Sequence, residues 1–114
     1  MIKTQFGIID NIEETRKYSY NPEKYHCVSI DDTLYIDDWW DRLALLKTYF
    51  HSLDRPASGL ARYGITLIPP ESLLEFQDIV LSDQRIRQDT HLVRLADTIQ
   101  SAVSQKKFMI HFGI

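Results

Sequence analysis

The chain has 114 residues, of which 44% are hydrophobic and 25% are charged, and its formal net charge is -3. This length is typical of one globular domain, and this composition excludes an intrinsically disordered chain. The acidic balance argues against a generic nucleic-acid-binding protein, which would carry a basic stripe, and no apolar run is long enough to cross a bilayer.

The first half of the chain is predicted to contain two strands and a helix. Residues 3–9 are rich in β-forming side chains, and residues 25–30 alternate along their length, so both segments are predicted strands. From about residue 38 to residue 53 apolar side chains recur three or four positions apart, which predicts a helix with one buried stripe. The residues of that stripe are Trp39, Leu43, Leu46, Phe50 and Leu53.

The second half is predicted to contain two further helices and a strand at the C-terminus. Residues 65–68 are predicted to be a short strand or an extended lead-in, residues 69–72 open a second helix, and a third helix spans roughly residues 89–107. The alternating apolar residues of 108–114 must dock into a sheet, because an exposed apolar strand would aggregate. We therefore predict a single α+β domain over residues 1–114, in which a small, mainly antiparallel sheet includes both chain termini and packs against about three helices.

Aspartates are concentrated around the start of the first predicted helix. Residues 30–54 carry six aspartates against Arg42 and Lys47, a local balance of -4. Helix capping explains Asp37 and Asp38 but accounts less easily for Asp31 and Asp32 in the same neighbourhood. Arg55 or Arg62 is a candidate internal counter-ion, which would be an objection to an open acidic surface.

Two adjacent tryptophans, Trp39 and Trp40, lie within this acidic segment. They are separated by about 100° around a helix, so only one of them faces the centre of the core. Trp39 lies on the apolar stripe, whereas Trp40 is either boundary core or an exposed anchor of the kind found at interface hot spots. We therefore predict a surface for a basic protein partner, formed by Asp31, Asp32, Asp37, Asp38, Asp41 and Trp40.

The sequence contains no motif with the spacing of a metal, nucleotide or nucleophile site. No catalytic, cofactor-binding or metal-binding residue is therefore predicted, and the chain is predicted not to be an enzyme. The alternative is a small ligand-binding protein or enzyme with a pocket between sheet and helices, using His111, His26 and Tyr63. A third possibility is a structural subunit whose homo-oligomer buries the tryptophan-rich face. The single cysteine, Cys27, and an N-terminus without a signal-peptide pattern predict a cytoplasmic protein.

Three phrases in the C-terminal part of the chain carry a family resemblance. They are LDRPASGL at residues 53–60, YGITLIPPES at residues 63–72 and IHFGI at residues 110–114. These phrases resemble small stand-alone bacterial proteins of toxin–immunity loci. The resemblance implies a short, acidic, cytosolic protein that plugs a toxin without chemistry of its own, and it transfers no binding residue. The leading functional prediction is thus an immunity-type inhibitor of a bacterial toxin domain.

Overall fold

The computed structural model describes residues 2–12 and 17–114, and its central feature is an antiparallel sheet with both chain termini in adjacent strands. The strand order is β2-β1-β6-β5-β3-β4, and every neighbouring pair is antiparallel. The predicted α+β fold, with a sheet that includes both termini, is confirmed. The strands are β1 (Lys3–Ile9), β2 (Val28–Asp31), β3 (Lys47–Phe50), β4 (Pro56–Ser58), β5 (Ile65–Ile68) and β6 (Phe108–Phe112).

In the described part of the chain, three α-helices pack on one face of this sheet. The first follows a π-helical segment, Asp32–Ile36, whose start is capped by the side chain of Asp31. Within residues 2–12 and 17–114, no helix has the length and apolar character needed to cross a membrane. The helices are α1 (Asp37–Leu43), α2 (Pro70–Leu81) and α3 (Thr90–Gln105), and two 3₁₀ turns lie at Pro22–Tyr25 and Gln84–Arg87.

The prediction of one helix from residue 38 to residue 53 is wrong in its second half. Helix α1 ends at Leu43, and the chain then forms the antiparallel pair of β3 with β4. The segment Thr48-Tyr49-Phe50 is β-branched and aromatic, so it favours a strand. Thr48 is fully buried, and its hydroxyl donates to the carbonyl of Gly59 at 2.6 Å. A hydrogen-bonded hairpin therefore replaces the last turns of the predicted helix.

Apolar side chains cover both faces of the sheet, because alternate residues of a strand point in opposite directions. On β6, Met109 joins the large cluster shared with the helices, whereas Ile110 and Phe112 belong to a second cluster on the opposite face. Tyr18, from the segment between β1 and β2, also belongs to this second cluster. The large cluster contains fully buried residues such as Phe6, Phe76 and Leu95.

The C-terminal residues hold the loop before β5 in place. The amide of Gly113 donates to the carbonyl of Gly64, and the amide of Ile114 donates to the carbonyl of Arg62, each at 2.8 Å. A Cβ atom at residue 113 would lie 2.0 Å from the carbonyl oxygen of Arg62, so only glycine permits this approach. The C-terminus thereby fixes the backbone from which the Arg62 side chain extends.

Candidate functional site

Helix α1 separates an apolar side from an acidic side. Trp39 and Leu43 are buried, with 5% and 0% exposure, and face the core. Asp37, Asp38 and Asp41 are exposed on the opposite side, because positions three or four apart share one face of a helix. We call these three residues the acidic crest. The predicted clustering of these three aspartates therefore follows from the helix itself.

Arg62 connects the crest to a buried carboxylate. Its Nε and Nη2 atoms both donate to Oδ2 of Asp32, at 3.0 and 2.7 Å, and the same guanidinium forms an ion pair with Asp37. Hydrogen bonds to Asp32, and then to Asp37, raise the pKa of the Arg62 guanidinium. Arg62 is thus an internal counter-ion, one of the two arginines that the sequence nominates for this role.

Asp32 is a correction to the predicted partner surface. The residue is only 1% exposed, because it begins the π-helical segment beneath Arg62, so a partner cannot contact it. Its second carboxylate oxygen, Oδ1, has no hydrogen-bond partner within residues 2–12 and 17–114. Asp32 positions Arg62, and through it Asp37, instead of forming part of the exposed surface.

Trp40 lies beside Arg62 at the flank of α1. The guanidinium carbon of Arg62 is 5.5 Å from the centre of the Trp40 ring, within the range of a cation–π contact. The side chain is half-buried, which corresponds to the boundary position, one of the two alternatives that the sequence left open. Arg62 therefore contacts both the Trp40 ring and the Asp37 carboxylate of the crest.

A second arginine, Arg85, balances the other flank of α1. Arg85 forms ion pairs with Asp38 at 3.1 Å and with Asp83 at 2.6 Å, and its guanidinium lies 4.6 Å from the ring centre of Tyr35. Trp39 donates through Nε1 to Asp83 at 2.9 Å. The hydrogen bonds from Arg85 are the main reason that the pKa of Asp83 falls to about 2.

The third arginine, Arg42, joins α1 to α2. It contacts Glu75 at 3.0 Å and Asp78 at 2.7 Å. The side chains are 43%, 55% and 64% exposed, respectively, so water screens the two contacts strongly. These bonds align the helices but leave both carboxylates accessible from solvent.

Internal pairing leaves this region acidic. Arg42, Arg62 and Arg85 each hold two carboxylates, so three positive charges face six negative ones. Asp41 is exposed and makes no hydrogen bond or ion pair with the part of the chain that the structure describes. The sequence alone did not predict Glu75, Asp78 or Arg85 as members of this region, because only the packing of α1 against α2 and the following turn brings them to it.

The three side chains of the alternative hypothesis do not converge. His111 is buried within the sheet, His26 is exposed after the first 3₁₀ turn, and Tyr63 is 80% exposed on a loop. Strand β1 lies between β2 and β6, so the strand that follows His26 does not pair with the strand that carries His111. Packed apolar side chains of the large cluster occupy the space between sheet and helices.

His111 belongs to a buried hydrogen-bond chain. Its Nε2 atom lies 2.5 Å from the hydroxyl oxygen of Thr4, which also lies 3.2 Å from the carbonyl oxygen of Phe112. Its Nδ1 atom lies 3.3 Å from the hydroxyl oxygen of Thr66, which accepts from the amide of Ala61. Complete burial lowers the pKa of His111 to about 3, so the ring is neutral at physiological pH. This arrangement is structural.

Two surface depressions lie away from the acidic crest. One, of about 520 Å³, is lined by residues that include Tyr18, Lys24 and His26, and the other, of about 430 Å³, includes His51 and Tyr63. Among residues 2–12 and 17–114, no three histidine, cysteine or acidic side chains are grouped to hold a metal ion. Burial is the main reason that the pKa of Cys27 rises to about 11, so its thiol is protonated and weakly nucleophilic.

Comparison with known proteins adds no family assignment. No protein-family model matches the chain, and no curated protein or solved structure matches it. The resemblance to immunity proteins therefore stays a prediction.

Proposed function

We propose that the chain is a non-enzymatic protein-binding domain, an immunity-type inhibitor that neutralises a bacterial toxin domain through its acidic surface. The observation that carries this proposal is the excess of carboxylates that remains after each of three arginines has paired with two of them. A surface with one dominant sign of charge accelerates encounter with an oppositely charged partner and selects against like-charged ones.

The contact residues of the proposal are the solvent-accessible members of the predicted set: Asp31, Asp37, Asp38, Asp41 and Trp40. The carboxylates supply attraction to a basic partner, and Trp40 supplies the flat apolar group that is enriched at binding hot spots. Arg62 supports both by pairing with Asp37 and by lying over the Trp40 ring. A pre-ordered surface loses less side-chain entropy on binding than a mobile one.

The proposed partner is a basic toxin domain in the cytoplasm of the same bacterium. The second candidate, a ligand-binding protein or enzyme, has less support because His111, His26 and Tyr63 lie apart. A homo-oligomer that buries the tryptophan-rich face is also less favoured, because Trp39 is already in the core and two copies of the crest would repel each other.

The test begins with affinity purification of the tagged protein from its native cells at low and at moderate salt. We expect one stoichiometric basic partner whose recovery falls as the salt concentration rises. The affinity for the purified partner is then measured for the wild type, for D38K/D41K and for R94K. The R94K variant is the control, because it keeps the positive charge at this position of α3.

The double charge reversal should weaken binding by about 10- to 100-fold and reduce the salt dependence, because two attractive charges become repulsive. The control should bind like the wild type. Unchanged affinity of D38K/D41K for the purified partner would refute this surface assignment, and recovery of the protein without any partner would favour the ligand-binding alternative.

A further inference from the structure

The smaller surface depression, of about 430 Å³, lies on the sheet face opposite the helices. Tyr18 and Ile65 are part of its lining, and both belong to the apolar cluster of that face. A cavity of this size is within the range of small-molecule sites, about 300–1,000 Å³. None of the described residues that line it belongs to the acidic crest, so a ligand here would be a function additional to the proposed one.

A strained turn holds His51 in this depression. The residue follows β3, its φ angle is 69°, and the amide of Ser52 donates to the carbonyl of Phe50 at 2.9 Å. A hydrogen bond across three residues with a positive φ at the centre is a γ-turn of the rare, strained form. The turn is fixed on both sides, because the His51 amide donates to the carbonyl of Ile65 at 3.1 Å and the His51 carbonyl accepts from the amide of Tyr18 at 2.8 Å. Strain of this kind is concentrated at ligand-binding and catalytic sites.

Gly64 leaves the space in which the His51 ring lies. A Cβ atom at residue 64 would lie 3.2 Å from Nε2 of His51, so a side chain there would press against the imidazole. Burial is the main reason that the pKa of His51 is lowered from 6.5, and the ring is therefore neutral at pH 7. The imidazole makes no hydrogen bond with the part of the chain that the structure describes, so its nitrogen atoms can serve a ligand as donor and acceptor.

The charge of the lining favours an anion. Lys17 and His51 are among the lining residues, whereas no aspartate or glutamate of the described ranges lines this depression. Arg55 and Lys17 also lower the pKa of His51, so both positive charges act on this part of the surface, although the net charge of the chain is -3. The larger depression differs, because Asp10 lines it together with Lys24. A negative ligand group is therefore attracted to the smaller depression.

Two exposed tyrosines add flat aromatic surface to the depression. Tyr20 and Tyr63 both line it, and they are 58% and 80% exposed. Tyr20 is held in place, because its ring meets the Phe112 ring edge-to-face at 5.2 Å and its hydroxyl donates to the carbonyl of Gly113 at 3.2 Å. Aromatic side chains stack on the flat faces of planar ligands. The depression thus combines a stacking surface with positive charge.

We propose that this depression binds a small planar aromatic anion, whose ring lies against the two tyrosines and whose negative group is held by Lys17 and His51. Lys17 supplies the charge, and His51 supplies a hydrogen bond whose direction is fixed by the strained turn. The negative group is a phosphate, as in a nucleoside monophosphate, or a carboxylate, as in an aromatic acid. Both kinds of ligand share a flat ring with one anionic substituent.

The test measures the binding of small probes to the full chain by isothermal titration calorimetry and by two-dimensional NMR. Adenosine monophosphate and indole-3-acetate are the two aromatic anions. Adenosine and indole are the matched rings without the charge, and inorganic phosphate is the charge without a ring. We expect at least one aromatic anion to bind with a Kd below about 1 mM and about tenfold more tightly than its uncharged ring. It should shift the resonances of Tyr20, His51 and Tyr63.

Two pairs of variants locate the bound anion. K17M and H51N should each weaken its binding about tenfold, because they remove the charge and the imidazole. K24M and H26N make the same changes in the larger depression, where His26 also has a positive φ of 51°, and should bind like the wild type. Asparagine is chosen at both histidines because it tolerates a positive φ. Circular dichroism and urea unfolding verify that each variant is folded.

The binding anion identifies the ligand source, since binding of adenosine monophosphate alone supports a phosphate and binding of indole-3-acetate alone supports a carboxylate. The absence of binding by both anions at about 5 mM would overturn the proposal. Equal binding of the uncharged rings, or of inorganic phosphate, would refute recognition of an aromatic anion. Binding that survives K17M or H51N would refute the assigned contacts, and binding lost only in K24M or H26N would place the ligand in the larger depression.

Discussion

Replacing Arg62 by methionine tests whether this guanidinium holds the acidic surface together. The methionine keeps an unbranched apolar side chain beside Trp40 but removes both hydrogen bonds to Asp32. Asp32 is 1% exposed, and its Oδ1 atom already has no partner among the described residues. The variant therefore leaves the buried Asp32 carboxylate without the two hydrogen bonds that Arg62 donates to its Oδ2 atom.

Breaking a buried ion pair by removing one partner costs about 3–5 kcal/mol. The Arg62 side chain is 25% exposed, so water reaches part of the vacated space, and we expect a loss near the lower end, about 3 kcal/mol. A domain of this size has about 5–15 kcal/mol of unfolding free energy in total. R62M should therefore fold but lose a large part of its stability.

Asp32→Asn in the R62M background separates the charge effect from the loss of packing. The asparagine carries no charge, so the double variant should recover about 2 kcal/mol relative to the sum of the two single losses. R55M is the matched control, because Arg55 is exposed and makes no ion pair within the described ranges. Its expected change is below about 0.5 kcal/mol.

Urea unfolding at pH 7, followed by far-ultraviolet circular dichroism, measures the wild type and all of these variants. The transition midpoint should fall in R62M without a change in the denaturant slope, which would indicate that the native state is otherwise preserved. An R62M stability within about 0.5 kcal/mol of the wild type, or strictly additive losses in the double variant, would refute the stabilising role of Arg62.

Buried contacts give three further predictions. The pKa of His111 is about 3 in the folded state, against an ordinary value of 6.5 for histidine, so the unfolded chain binds a proton between these values that the folded chain does not. As the pH is lowered through this window, the proton bound by His111 in the unfolded chain makes the unfolding free energy fall by up to about 1.4 kcal/mol per pH unit. NMR should show an uncharged His111 ring at pH 5, and a titration midpoint of this ring above pH 5 would contradict the prediction. G113A should lower the unfolding free energy by about 1–3 kcal/mol and shift the Arg62 backbone, whereas wild-type stability would mean that the close approach is readily relieved. Y35F removes the hydrogen bond to Asp89 and should cost about 1 kcal/mol in urea unfolding; a stabilised variant would show that this bond contributes nothing net.

The helices were predictable where apolar periodicity and end signals agreed. Pro69-Pro70 marks the start of α2, and Asp89 caps α3 by accepting from the amide of His91, so both elements formed close to their predicted ranges. The segment after Leu43 was not predictable by the same means. Its apolar residues follow a helical spacing, whereas the strands that pair with β3, namely β4 and β5, come later in the sequence.

The candidate site also combines features that the sequence predicts with features that it does not. The positions of Asp37, Asp38 and Asp41 on one side of α1 follow from helical spacing alone. The burial of Asp32 does not, because it depends on Arg62, which lies thirty residues further along the chain. Sequence indicates an acidic surface, whereas the structure identifies which carboxylates face solvent.

The sequence by itself determined an acidic α+β domain with an apolar C-terminal strand, because composition and local periodicity constrain which segments must be buried. Tertiary structure alone decided that β6 lies between β1 and β5 and that the chain after α1 returns as a hairpin. It also decided the assignment of Arg42, Arg62 and Arg85 to their carboxylates. These features depend on contacts between residues far apart in the chain, and the free energies of such contacts cannot be inferred from a local sequence pattern.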